Sequence, residues 1–248
     1  MIYLLAPAFN ESQNLRHLLN TVSKTVKKKY HLVIVDDGST DKTMQVLQKL
    51  SKKYPLIPIG YKNNQGPGYA FDYGFKYLTK KIKKGDLVIT IESDNTSDLS
   101  KLGEMTKLAN RYDVIIGTPF SEHGSFEGVS FYRRIISQLN HQLLKIIFRI
   151  KGVDSYSNFY RLYTAEIIKK ARNYYGASLI TENGFPAVTE ILIKLNKIGA
   201  KMTSIPVKID WTKRQGKSKL KITKYVKRQI VLILKFWVLS RFYLAPQK

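Results

Sequence analysis

The stretch Ile34-Val35-Asp36-Asp37-Gly38-Ser39-Thr40-Asp41 decides the fold class. Its apolar half closes a run from His31 to Val35 that is short and rich in β-branched residues, so it reads as a buried strand. Its polar half ends that strand on two adjacent carboxylates and a glycine. Ser39 or Thr40 then caps a helix carrying Leu47 and Leu50. Upstream, Ile2–Ala6 is another apolar run, closed by Pro7, and Glu11–Val26 follows with Leu15, Leu18, Leu19, Val22 and Val26 at helical spacing. Downstream, Leu56–Tyr61 predicts a third strand, irregular or at an edge because of Pro58. A helix from Gly68 to Lys81, a strand at Leu87–Ile91, a helix over Asp98–Asn110 and a strand at Val114–Gly117 complete the first half.

Strand and helix in alternation predict an α/β fold: an open, mostly parallel, Rossmann-like sheet with helices on both faces. Such sheets take ligands outside the carboxyl ends of their strands. Those ends carry Asn10-Glu11, Asp36-Asp37, Asn63-Asn64 and the pair Glu92 and Asp94, so polar clusters converge on one rim. Glu92-Ser93-Asp94 places two acids at i and i+2 on a turn leaving a strand, where both reach one hard cation. Carboxylate oxygens suit Mg²⁺ or Mn²⁺, which commonly bridge protein acids to substrate phosphates. The other reading is that Glu92 and Asp94 cap the next helix or are simply solvated. Asp36-Asp37 favours the cation, because acids gathered on one rim repel each other unless positive charge lies between them. Gly66-Pro67-Gly68 precedes a helix and either offers N–H groups to a phosphate or is a turn; it fits neither the P-loop nor the dinucleotide fingerprint.

The 248 residues make one large domain or two small ones. With no cysteine, disulfide scaffolds, thiol nucleophiles and sulfur-ligated zinc are excluded, and a reducing compartment fits. The four histidines lack metal-ligand spacing, and no serine stands in a nucleophile elbow. Net charge is +24 and uneven: residues 1–127 carry +5 and residues 128–248 carry +19. From Trp211 onward there are 11 Lys and Arg and no acid. Such a field draws polyanions: nucleic acid, anionic lipid headgroups or phosphorylated substrates. No run reaches the 18 apolar residues of a membrane span, and Ile230–Leu244 is broken by Lys235 and Arg241. With no secretory signal visible, the expectation is a cytoplasmic protein, free or held at a membrane surface.

The second half departs from the first. Phe131–Ile150 carries Phe131, Ile135, Leu139, Leu143, Ile147 and Ile150 in helical register among Arg133, Arg134, Lys145 and Arg149. Val153–Tyr163 is turn and strand, Thr164–Arg172 a short helix, Glu182–Lys197 a helix carrying Glu190, and Met202–Ile209 a strand. A basic loop over Trp211–Ser218 leads into a final basic, aromatic-rich helix, Leu220–Phe242.

Pro7-Ala8-Phe9-Asn10-Glu11 followed by Ile34-Val35-Asp36-Asp37-Gly38-Ser39-Thr40-Asp41 resembles the opening signature of family 2 glycosyltransferases. Gly66-Pro67-Gly68-Tyr69-Ala70 is similar to the family's glycine-rich segment, and Glu92-Ser93-Asp94 to its Asp-x-Asp metal motif, with Glu in place of the first Asp. Arg133 with Ser137, Asp154-x-x-Ser157-x-Phe159, Glu190 and the run from Trp211 to Leu220 follow the order of the dolichol-phosphate mannose synthase branch. Three positions depart from it: Gly117-Thr118-Pro119 lacks the arginine usual after the fifth strand, Asn158 replaces a glycine, and Thr96 stands where a metal-binding glutamine is usual.

The resemblance implies a GT-A domain over 1–218 and a basic amphipathic helix at the membrane surface over 219–248. It implies inverting transfer of a sugar from a GDP- or UDP-linked donor to a polyprenyl phosphate, with Mg²⁺ or Mn²⁺ as cofactor. By the same likeness Pro7, Phe9, Asn10, Glu11, Asp36, Asp37, Gly66 and Ser93 would hold the nucleotide-sugar, and Glu92, Asp94 and Thr96 the cation. Arg133, Ser157, Lys213, Arg214 and Lys219 would hold the acceptor phosphate, with Asp94, Arg133, Lys213 and Arg214 catalytic. A phosphate monoester carries about −1.5 to −2 charges at neutral pH, so it attacks without a general base, and the protein must supply positive charge to position it. A lipid acceptor also gives the basic amphipathic stretches a reason, since helices in the headgroup region gain from anionic lipid. A family member acting on a soluble or polysaccharide acceptor stays open. A nucleic-acid-binding protein would use the charge but leave the acidic rim unexplained, so no nucleic-acid partner is expected.

Overall fold

The computed structural model describes residues 1–216 and 222–243, the last six by backbone alone. Seven strands form one sheet: β1 (Ile2–Ala8), β2 (Tyr30–Asp37), β3 (Leu56–Tyr61), β4 (Leu87–Thr90), β5 (Val114–Thr118), β7 (Arg161–Thr164) and β8 (Met202–Pro206). Their order is β3-β2-β1-β4-β7-β5-β8. β3, with Pro58, lies at the edge, where a missing N–H costs least. All neighbours are parallel except β7, which runs antiparallel between β4 and β5. Two three-residue strands, β6 (Ser125–Glu127) and β9 (Lys208–Asp210), pair separately.

Both faces of the sheet are covered, which is why its strands read as continuous apolar runs rather than alternating ones. Leu4, Leu32, Ile34, Ile89 and Ile115 pack with α1 (Leu15–Thr25), α2 (Thr43–Ser51) and α4 (Leu102–Leu108). Leu5, Val33, Val35, Val88 and Val114 belong to the opposite layer, with α3 (Pro67–Thr79), α6 (Ala165–Tyr175), α7 (Ala187–Lys197) and parts of α5 (Phe131–Phe148) and α8 (Ile222–Tyr243). Each fully buried Leu or Val contributes about 1.5–3 kcal/mol. The strand register brings Ala8 beside Asp36, and Leu5 beside Thr90, so the β1, β2 and β4 chain ends leave the sheet together.

Several boundaries shift for identifiable reasons. The helix expected from Glu182 begins at Ala187, because the Glu190 carboxylate accepts from the Thr181 and Glu182 N–H groups and the Thr181 hydroxyl, holding 181–182 out of the helix. The strand expected over Met202–Ile209 is two strands, interrupted where Val207 turns its N–H to the Thr118 carbonyl. Helix α5 forms, but much of its apolar stripe faces outward: Phe131 is 77% and Leu139 64% exposed, and Ile135, Leu143 and Ile146 are exposed as well. Its inner face is His141 and Leu144. Helix α8 buries Gln229, Leu232 and Phe236 and exposes Ile230, Val231, Leu234 and Trp237. Among the described residues no helix is long and apolar enough to cross a membrane.

Candidate active site

A cavity of about 740 Å³ opens at the carboxyl ends of β1, β2 and β4. Pro7, Phe9, Glu11, Asp37, Gly66, Glu92, Ser93, Asp94 and Thr96 line it. So do Arg133, Ser157, Trp211 and Arg214, with Phe120, Phe126 and Ile136. The structure thus gathers most of the residues that the sequence singled out. Asn10, Asp36 and Lys213 are not in the lining, and Lys219 lies outside the described residues.

Those three have other partners. Asn10, in the left-handed region at φ 54°, clips the first two strand ends together: its Oδ1 accepts from the Thr40 N–H (2.8 Å) and the Asp41 N–H (3.2 Å). Asp36 is buried, and its Oδ1 accepts from the Ser39 N–H at 3.1 Å. Lys213, in a 3-10 turn after β9, directs its exposed ammonium to Asp210, 3.5 Å away. The next residue, Arg214, is the one that reaches the cavity.

Asp37 is a loop organiser as well as a wall. Its carboxylate accepts from the Tyr61 hydroxyl (2.8 Å), the Asn64 amide (2.9 Å), and the Gln65 (2.8 Å) and Gly66 (3.0 Å) N–H groups. Burial raises its pKa while these hydrogen bonds act the other way. The turn it holds needs glycine: Gly66 has φ +99°, and a Cβ there would stand 2.5 Å from the Asn183 carbonyl oxygen. Gly68 N–H donates to that same oxygen at 2.8 Å, tying α3 to the 181–186 segment.

On the turn after β4, Ser93 donates to the Pro7 carbonyl at 2.8 Å, locking the β4 turn to the β1 end. Asp94 Oδ1 accepts from the Thr96 hydroxyl at 2.7 Å, and its Oδ2 pairs with Arg214 Nη1 at 2.9 Å. Thr96 therefore orients a carboxylate. Glu92 accepts from the Ser97 hydroxyl. Burial, and then the neighbouring Asp94 charge, push its pKa up to about 7. Among the described residues no third acid or histidine joins the pair in a metal-holding group. This donor set fits Mg²⁺ or Mn²⁺, which take one or two carboxylates and complete their shell with water and substrate phosphate; a dication would relieve the repulsion that raises Glu92.

Trp211 carries two guanidinium groups, Arg133 at 5.0 Å and Arg214 at 5.9 Å from the ring centroid. Cations over an indole face gain about 0.5–2 kcal/mol, so the ring holds both arginines in place. Ser157 bonds the Tyr225 hydroxyl, which also accepts from Asn140 at 3.0 Å, and burial pushes the Tyr225 pKa up to about 12. Helices α5 and α8 meet through that link. Helix α8 adds Lys224 and Arg228 to the wall, Arg228 being paired with Glu182 at 2.6 Å. Lys224, Tyr225 and Arg228 were not singled out as site residues: on a basic helix nothing local marks which turn faces a cavity. Arg161 was missed for a different reason. It is fully buried on β7, bonds the Val188 and Tyr156 carbonyls, and lends positive charge toward Glu92.

An open, mostly parallel sheet with acids on its carboxyl rim and arginines facing them defines a GT-A-like architecture. Residues 3–173 match the family described as Glycosyl transferase family 2, and the chain belongs to that family. It is 29% identical over 226 residues to a dolichol-phosphate mannosyltransferase of Pyrococcus furiosus, covering 89% of this chain and 59% of that protein. It is 25% identical over 230 residues to an undecaprenyl-phosphate 4-deoxy-4-formamido-L-arabinose transferase of Edwardsiella ictaluri, covering 91% of this chain and 64% of that one. The chain thus spans about three fifths of these relatives' length. The fold superposes on glucosyl-3-phosphoglycerate synthase of Mycobacterium tuberculosis, solved with Mn²⁺, uridine diphosphate and glucosyl-3-phosphoglycerate. That match has a TM-score of 0.66 at 15% identity and covers 96% of this chain and 79% of the other.

Proposed function

We propose that the protein transfers a sugar, with inversion, from a nucleotide-diphosphate sugar to a polyprenyl phosphate at an anionic membrane surface. The observation that carries this reading is the continuity of the cavity. Acids suited to a cation and two arginines on Trp211 line the same cavity and meet at the Asp94–Arg214 ion pair. The two polyprenyl-phosphate transferases named above support the same reading.

In this reading Pro7, Phe9, Glu11 and the turn held by Asp37 grip the nucleotide, and Glu92 and Asp94 hold the divalent cation. The cation, when bound, neutralises charge growing on the departing diphosphate. The acceptor arrives as a phosphate dianion, so its oxygen needs no proton removed. Arg133 and Arg214 orient it for attack on the anomeric carbon from the face opposite the diphosphate, and the bond to the diphosphate oxygen breaks as the new one forms. Fixed positive charge in a partly closed site is worth more than in water, which is the main source of rate here.

The outward faces of α5 and α8 give the lipid acceptor its route. Phe131, Leu139, Leu143 and Ile146 on α5, with Ile230, Val231, Leu234 and Trp237 on α8, are exposed apolar side chains among Arg134, Lys145, Lys227 and Lys235. Helices of this kind lie in the headgroup layer, each basic residue adding about 1 kcal/mol near an anionic surface. In this reading the protein lies peripherally on the cytoplasmic leaflet.

The test is a panel of radiolabelled GDP- and UDP-linked sugars, offered with polyprenyl phosphate in vesicles or with soluble phosphorylated acceptors. Label moving into the organic phase supports the reading. Label moving only to soluble acceptors contradicts it and favours the soluble-acceptor alternative.

A further inference from the structure

Three segments far apart in the chain meet at one buried residue. Asn14, 2% exposed and just before α1, accepts from the Gln215 N–H with its Oδ1 at 3.0 Å and donates from its Nδ2 to the Gln215 carbonyl at 3.0 Å. It thereby pairs with both polar groups of one residue's backbone, as a neighbouring strand would. The second N–H of the amide goes to Glu11 Oε2 at 2.6 Å. The Asn14 carbonyl accepts from the Asn95 amide at 3.2 Å, inside the turn that carries Asp94. Only one orientation of the Asn14 amide serves these partners, with its donors toward two oxygens and its acceptor toward an N–H.

We propose that Asn14 is a positioning residue for sugar transfer, a latch that closes the Trp211–Gly216 segment over the strand-end carboxylates and so sets Arg214 against Asp94. This rests on the function proposed above. Gln215 directly follows Arg214, so fixing its backbone fixes the direction in which Arg214 leaves the chain. The Arg214–Asp94 pair also ties the segment to the acidic turn, and just before it the Asp210 N–H donates to the Thr96 carbonyl at 3.4 Å. The latch also couples the ends of the cavity. Glu11, at the nucleotide end, and Asn95, on the cation-holding turn, share the side chain or backbone of the residue that grips the arginine segment. A leucine at this position fills nearly the same space but offers no hydrogen bonds, so the segment detaches without a cavity forming. An aspartate keeps an acceptor for the Gln215 N–H, but it sets negative charge against the Glu11 carboxylate and the Gln215 carbonyl.

Trp211 reports the segment's position without turnover. The chain has two tryptophans, so Trp237→Phe leaves Trp211 as the sole emitter. In that background Asn14→Leu is expected to raise acrylamide quenching of Trp211 about twofold or more, as a local opening without global unfolding does. The same variant is expected to lower kcat about tenfold or more while moving the donor KM less than about threefold, since a misplaced charge costs more in the transition state than in donor binding. Asn14→Asp is expected to act in the same direction and serves if the leucine variant does not fold. Unchanged quenching in a folded variant overturns the latch, and so does increased quenching with unchanged kcat. Because the fluorescence needs no substrate, a parent protein that transfers no sugar would count against the proposed function while quenching still decides the latch.

Discussion

Arg214 Nη1 stands 2.9 Å from Asp94 Oδ2, both side chains largely buried, so a guanidinium assigned to the acceptor neutralises a carboxylate assigned to the donor's cation. In the proposed reading a dication would compete with this arginine for the same oxygen. Cation binding would then free Arg214 toward the incoming phosphate and couple the two halves of the site through one carboxylate.

Arg214→Met removes the competitor. Mn²⁺ binding to the nucleotide-free protein, read by calorimetry, is expected to tighten about tenfold, the effect of about 1.4 kcal/mol. Sugar transfer is expected to fall about 100-fold or more, as when one preorganised charge is lost from a site. Mn²⁺ affinity equal to that of the parent would show that the ion pair does not oppose the metal.

Asp37→Asn strikes the turn over residues 64–66. The carboxylate accepts from a hydroxyl, a side-chain amide and two backbone N–H groups, and an amide in its place points hydrogens at some of these donors. A stability loss of about 2–3 kcal/mol is expected, read from the urea midpoint at constant slope, with nucleotide affinity falling in parallel. An unchanged midpoint would contradict the organising role.

His141 predicts a pH dependence of stability. Its ring stacks on Phe120 at 4.3 Å, and it is buried on the inner face of α5. Burial, then the Lys145 ammonium, lower its pKa, with Asp154 opposing. The unfolded chain takes a proton near about pH 6.5, where the folded chain still resists it. The stabilisation is complete above that value and is lost as pH falls toward the folded pKa. His141→Phe keeps the stacking and should flatten this part of the urea midpoint profile between pH 7.5 and 5.5; an identical slope would remove His141 as its source.

Leu139→Glu and Leu143→Glu test the outer face of α5. These side chains are 64% and 47% exposed, so the melting temperature should stay within about 2 °C, as expected for surface substitutions. Co-sedimentation with anionic vesicles is expected to drop about tenfold, and raising salt should weaken what remains. Binding equal to that of the parent would contradict membrane contact through this face.

Much of this was readable in the chain because buried parallel strands write themselves as apolar runs. His31–Val35 and Ile2–Ala6 needed no neighbours to be recognised, and their polar exits marked the rim. Neighbour order is another matter. Nothing in Arg161–Thr164 says that it runs antiparallel between β4 and β5, because periodicity reports faces, not partners. The α5 stripe showed a helix but not which face would be covered; Phe131 and Leu139 lie outside while His141 and Leu144 are covered. Lys213 and Arg214 were indistinguishable until a 3-10 turn sent one to Asp210 and the other to Asp94. The Asn14 latch spans 201 positions, a separation no local pattern carries.

The most direct test measures formation of lipid-linked sugar from radiolabelled donor and polyprenyl phosphate, with parent and Asp94→Asn protein, across Mn²⁺ added back after EDTA treatment. The parent should lose transfer with EDTA and regain it with Mn²⁺, while Asp94→Asn stays about 100-fold or more below it at every concentration. Transfer that is indifferent to EDTA, or an Asp94→Asn protein as active as the parent, would contradict the account.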